Sequence, residues 1–138
     1  MRIVGIDYGD SSVGLAITDP LVFTAQGLET ISHKGNDKIV LKRLDEIFEQ
    51  YQIDTIVIGM PYNMDGTKTF RAEITEKFIH KLKCKYNKIK IETMDERLTT
   101  VAAHKTMNFL DVNKTKKRGI VDTISAVYIL EMYMNKNK

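Results

Sequence analysis

The spacing of apolar positions changes several times along the chain, and each change predicts an element. Residues 2–7 form a nearly continuous apolar run around Ile3, Val4 and Ile6, as expected of a strand covered on both faces. Tyr8 to Ser12 reads as a turn and Val13 to Thr18 as a second strand, so 2–18 is a predicted hairpin. Leu28 to Ser32 is a third strand. After a polar stretch at His33 to Asp37, the residues Val40, Leu41, Leu44, Ile47, Phe48 and Tyr51 recur at helical spacing. Thr55 to Gly59 is a short apolar strand, and Pro61 to Thr69 is a loop turning at Asp65-Gly66.

Phe70, Ile74, Phe78 and Leu82 mark a second amphipathic helix, and Ile89 to Met94 alternates as an edge strand does. Leu98 to Phe109 predicts a third helix, Asn108 to Lys117 a lysine-rich loop, and Gly119 to Met134 a last helix. The order β-β-β-α-β-α-β-α-α describes an α/β fold: a mixed five-stranded sheet flanked by helices. No repeat or linker interrupts it, so 1–138 is expected to be a single domain.

Composition narrows the setting. Hydrophobic residues are 43% and charged residues 28% of the chain, a globular balance. A net charge of +3 permits nucleic-acid binding without requiring it. The lone Cys84 excludes an internal disulfide and a cysteine-based zinc cluster. Asp7 interrupts the N-terminal apolar run too early for a signal peptide, and no apolar stretch approaches the roughly 20 residues of a membrane span. A cytoplasmic location is the expectation.

Acidic residues at element ends carry the candidate chemistry. Asp7 closes the first strand, Asp95 and Glu96 follow the fifth, and Asp122 falls in the first turns of the last helix. Carboxylates from three separate segments suit hard, oxygen-seeking Mg²⁺ or Mn²⁺, and a pair of such ions serves phosphodiester hydrolysis. Each acid also has a plainer reading. Asp after a strand is often a turn residue, and Asp95-Glu96 equally suits the cap of a helix starting near Leu98. Pattern and composition alone reach an α/β domain with a candidate acidic metal site.

Ordered blocks of sequence add a resemblance. Gly5-Ile6-Asp7-Tyr8-Gly9 with Val13-Gly14-Leu15-Ala16, Ile58-Gly59-Met60-Pro61-Tyr62-Asn63-Met64-Asp65-Gly66-Thr67, Asp95-Glu96-Arg97-Leu98-Thr99-Thr100 and Val121-Asp122-Thr123-Ile124-Ser125-Ala126 span almost the whole chain. Together they resemble the YqgF family of Holliday-junction resolvases, also called RuvX. The resemblance implies a ribonuclease-H-like fold related to RuvC resolvases. It also implies a nuclease acting on branched DNA, on the 5′ end of pre-16S rRNA, or on both. By that resemblance Asp7 matches the first-strand acid, Asp122 the acid of the C-terminal helix, and Glu96, with Asp95 beside it, the Asp-Glu-Arg block. RuvC-type enzymes place an acid at the end of the fourth strand, where this chain has Ile58-Gly59-Met60-Pro61. The middle acid is then either Asp95 or Glu96.

Arg97 suits a bidentate phosphate contact, or equally a salt bridge to Asp95 or Asp10. The loop with Asn63, Asp65, Gly66 and Thr67 either binds phosphate at the following helix start or simply caps that helix through Thr67. Of two lysine clusters, Lys116 and Lys117 with Arg118, near Asp122, are the expected phosphate contacts. Lys77 to Lys90 is expected to be a solvated surface, and His33, His80 and His104 are expected to be surface residues. The expected partner is nucleic acid rather than a membrane, with the protein a monomer or a homodimer. The competing functions are a non-catalytic nucleic-acid-binding factor in transcription or ribosome assembly, and a phosphotransferase of the actin and sugar-kinase type. The latter needs a second such domain.

Overall fold

A computed structural model describes residues 1–9, 11–61, 65–67, 69–95 and 114–136, with side chains in the last segment from 123 onward. The strands are β1 (Arg2–Tyr8), β2 (Ser12–Thr18), β3 (Ala25–Ser32), β4 (Ile53–Met60) and β5 (Lys90–Asp95). The helices are α1 (Asp37–Gln50), α2 (Phe70–Lys85) and α3 (Lys114–Lys136). The five strands form one sheet in the order β3-β2-β1-β4-β5. β1 pairs antiparallel with β2 and parallel with β4, so the sheet is mixed. β4 and β5 are also parallel, which puts the C-terminal ends of β1, β4 and β5 along one edge.

Local chemistry explains where the first two helices begin. The Asn36 side chain accepts the Lys38 N–H at 3.1 Å, and the Thr69 hydroxyl accepts the Ala72 N–H at 2.9 Å. Each satisfies a backbone donor that a helix start leaves open. The cap of α2 is therefore Thr69, not Thr67. Thr67 instead donates its N–H and its hydroxyl to Asp65, as a turn residue does. Lys83 and Lys85 in the last turn of α2 suit the negative end of its dipole.

Strand alternation sorts the core into two unequal faces. Toward α1 and α2 point Val4, Ile6, Tyr8, Leu15, Ile17, Ile56, Ile58 and Met60, packed on Val40, Leu44, Ile47, Phe78 and Leu82. Toward α3 point Ile3, Ala16, Val57 and Met94, packed on Ala126, Ile129, Leu130 and Tyr133. The first face is bulky and the second is small. Phe70, read from its spacing as part of the α2 core face, is instead exposed.

The last helix starts earlier than its apolar spacing predicts. Lys114 to Lys117, expected in a loop, are helical, because lysine is a good helix former that needs no buried face. The predicted helix over Leu98–Phe109 lies outside the described residues. The structure is otherwise an α/β, ribonuclease-H-like arrangement, and among its described residues no helix is long and apolar enough to cross a membrane.

α3 lies directly on the sheet because Gly5 of β1 has no side chain. A Cβ there would sit 2.6 Å from Leu130 Cγ and 2.9 Å from the Ala126 carbonyl oxygen. Gly5→Ala should therefore lift α3 and cost about 1–3 kcal/mol, the usual range for overpacking. Urea unfolding of the two proteins measures it, and an unchanged midpoint contradicts this packing.

Candidate functional site

Asp7 is the penultimate residue of β1, is buried, and has Gly14 as its partner on β2. Alternation from Gly5 places it on the α3 face. Gly14 in turn pairs with Thr30 of β3. On the other side, Ile6 pairs with Ile58, so the next position on β4 beside Asp7 is Gly59. Asp7 thus stands in a cross-strand row between two glycines.

α3 crosses this face diagonally. Nearly midway along it Thr123 shares a hydroxyl–hydroxyl hydrogen bond of 3.0 Å with Thr30. A turn or two later Ala126 and Leu130 rest on Gly5. Further on, Tyr133 comes within reach of Lys90 on β5, whose ammonium is held above its ordinary range by Glu92 and then by Tyr133. The helix therefore runs from the Asp7 end of the sheet toward the opposite end.

Position 122 is one turn before Ala126 on the same helix face, a rise of about 6 Å. Asp7 is two residues beyond Gly5 on the same strand face, about 7 Å. With α3 beginning at Lys114, position 122 is about two turns inside the helix. It is not in the first turns as predicted, and dipole compensation cannot account for an acid there. One turn on from it, Ser125 is buried and its hydroxyl has no hydrogen-bond partner among the described residues.

Asp95 is placed differently. It pairs with Met60, whose side chain packs on the α1–α2 face, while its neighbour Met94 pairs with Gly59 and packs against α3. By register Asp95 sits on the opposite face from Asp7, with β4 between them. Glu96 and Arg97 lie outside the described residues. Lys116, Lys117 and Arg118 belong to the opening turns of α3. Among the described residues no group of three or more His, Cys, Asp or Glu is arranged to hold a metal ion.

Lys77, Lys81, Lys83, Lys85, Lys88 and Lys90 are all exposed, as expected. Lys81, Lys85 and Lys90 pair with Asp37, Asp45 and Glu92. His80 is exposed, and His104 lies outside the described residues. His33 is a correction. It is 1% exposed, with Nε2 at 2.9 Å from the Gly9 carbonyl and Nδ1 accepting the Gly35 N–H at 3.0 Å. Its ring stacks on Tyr8, the residue after Asp7. Spacing could not reveal this. The available clue was that His33 directly follows a strand whose end, Ser32, pairs with Ser12 at the hairpin corner.

Residues 1–136 match the family model RuvX, described as Holliday junction resolvase. A relative from Ruminiclostridium cellulolyticum, named "Putative pre-16S rRNA nuclease", is 54% identical over 136 residues, covering 99% of this chain and 95% of the relative. Two solved structures share the fold at low identity. The fowlpox virus resolvase with Holliday junction DNA has a TM-score of 0.62 at 12% identity, covering 99% of each chain. Thermus thermophilus RuvC in complex with a Holliday junction substrate has a TM-score of 0.56 at 11% identity, covering 99% of this chain and 95% of that one.

The seat of α3 on β3 can be tested by itself. A Cβ at Gly27 would meet Thr123 Cγ2 at 2.2 Å. Gly27→Ala should destabilise by about 1 kcal/mol or more. Adding Thr123→Ser, which removes that methyl and keeps the hydroxyl bound to Thr30, should restore most of the loss. Thermal melts of the single and double variants measure the coupling, and purely additive losses contradict the contact.

Proposed function

Because this chain belongs to the RuvX family, we propose that it is a metal-dependent nuclease that hydrolyses phosphodiester bonds in nucleic acid. The observation that supports this reading most is that β1 ends in a buried Asp7 on the face that α3 covers, with Gly14 and Gly59 as its cross-strand neighbours. The names of the relatives favour 5′-end processing of pre-16S rRNA, and the family description favours Holliday junction resolution. Both are substrates to assay.

In this reading Asp7, Glu96 and Asp122 hold Mg²⁺ or Mn²⁺, two ions in the working site. The donor set fits, since all three are hard carboxylate oxygens of the kind such cations prefer. A bound divalent cation lowers the pKa of water and neutralises charge on the scissile phosphate. Glu96 is preferred to Asp95 because Asp95 pairs with Met60 on the other face. Buried Asp7 keeps its carboxylate fixed, and Lys116, Lys117 and Arg118 neutralise neighbouring phosphates without reading sequence. Arg97 adds a forked donor to the phosphate.

Asp7→Asn, Glu96→Gln and Asp122→Asn should each abolish cleavage of a pre-16S 5′-leader RNA and of a four-way DNA junction, while Asp95→Asn should stay active. Saturating Mg²⁺ should stabilise wild type by about 2.7 kcal/mol at 100 times Kd, and the three inactive variants much less. Melts in EDTA and in Mg²⁺ measure the second effect. Equal Mg²⁺ shifts in wild type and Asp7→Asn, with no cleavage by either, would leave a non-catalytic nucleic-acid-binding protein.

A further inference from the structure

The corner that follows Asp7 is held from outside the hairpin, by groups that no catalytic role requires. The Tyr8 carbonyl accepts a hydrogen bond from the Arg71 guanidinium of α2 at 3.1 Å. The Gly9 carbonyl is bonded to His33 Nε2 at 2.9 Å. Since the Gly35 N–H donates to Nδ1, the ring proton resides on Nε2 and points at Gly9. The Gly9 N–H donates to the Ser12 carbonyl at 2.9 Å, which closes the corner.

The Tyr8 side chain is anchored as firmly. It is buried, stacked between His33 and Phe78 with centroids 5.4 and 4.5 Å away. Its hydroxyl donates to Asp37, which also takes the Lys81 ammonium at 2.8 Å. Successive strand residues point to opposite faces, so fixing Tyr8 on the α1–α2 side fixes the direction of Asp7 on the α3 side.

We infer that His33 and Arg71 are positioning residues for Asp7, holding the two carbonyls that follow it so that its carboxylate meets a divalent cation without rearrangement. The inference rests on the metal-dependent reading above. Groups that orient a ligand in this indirect way are worth about 10- to 100-fold in metal affinity or activity.

Two substitutions separate the carbonyl bond from packing. His33→Asn keeps an acceptor for the Gly35 N–H but cannot reach Gly9. His33→Gln places an amide donor where Nε2 was. Both remove the ring stacked on Tyr8 and each keeps one of its two bonds, so a Gln variant better than the Asn variant shows that the Gly9 bond outweighs the Gly35 bond. Mn²⁺ binding to the full chain is measured by the electron paramagnetic resonance of free Mn²⁺, beside kcat and KM for cleavage and melts in EDTA.

His33→Asn should weaken Mn²⁺ binding by about tenfold or more and lower kcat with KM for nucleic acid unchanged. His33→Gln should recover most of both, and Arg71→Met should resemble His33→Asn. Equal Mn²⁺ affinity in His33→Asn and wild type, or equal losses in the Asn and Gln variants, would overturn the inference. Wild type and Asp7→Asn are the controls: if they bind Mn²⁺ alike, the metal reading itself is wrong, and the positioning role goes with it.

Discussion

Everything on the α3 face depends on how closely one helix can lie on one sheet. Gly5 and Gly27 supply the room, because any side chain there would run into Leu130, the Ala126 carbonyl or Thr123. Interiors are packed to crystal-like density, so a helix seated that closely has little freedom to slide or roll. The Thr30–Thr123 hydrogen bond fixes one side of the crossing and the Ala126–Leu130 contact fixes the middle. Position 122 inherits its place from these contacts, although it makes none of them.

The two faces of the sheet divide the labour. The α1–α2 face carries the large side chains and hence most of the apolar burial that stabilises the fold. The α3 face is built of glycine, alanine and a few larger residues, and gains less from burial. A forked pair from Arg43 to Glu29, at 2.6–3.0 Å, ties α1 to β3 as well. It is half-exposed and adds alignment rather than much stability. A bulky face on one side can thus support a smaller one on the other.

Much of this was legible from residue order. The strand runs around Ile3–Ile6 and Ile56–Ile58 and the helical spacing of Val40, Leu44 and Ile47 are direct consequences of burial on one or two faces, and they appear where predicted. Asp7 at a strand end was visible for the same reason. What was not legible depended on contacts between distant segments. His33 lies in a polar stretch with no period to mark it, and only its bonds to Gly9 and Gly35 reveal its burial. The start of α3 was missed because Lys114 to Lys117 carry helix propensity without an apolar stripe. The face of Asp95 was invisible because register, a matter of pairing with Met60, is absent from any local pattern.

The reach of the bonds around the Tyr8-Gly9 corner has a consequence for how the protein is made. Asp7 leaves the ribosome before the donors that hold the next two carbonyls, which lie 24 and 63 residues beyond those carbonyls. At about 5–20 residues per second, synthesis delivers Arg71 seconds after Asp7, and the helix that carries Asp122 later still. The acid is therefore made well before the groups that frame it. The carboxylate thus acquires its fixed direction only after Arg71 has been made and has folded back onto the Tyr8 carbonyl.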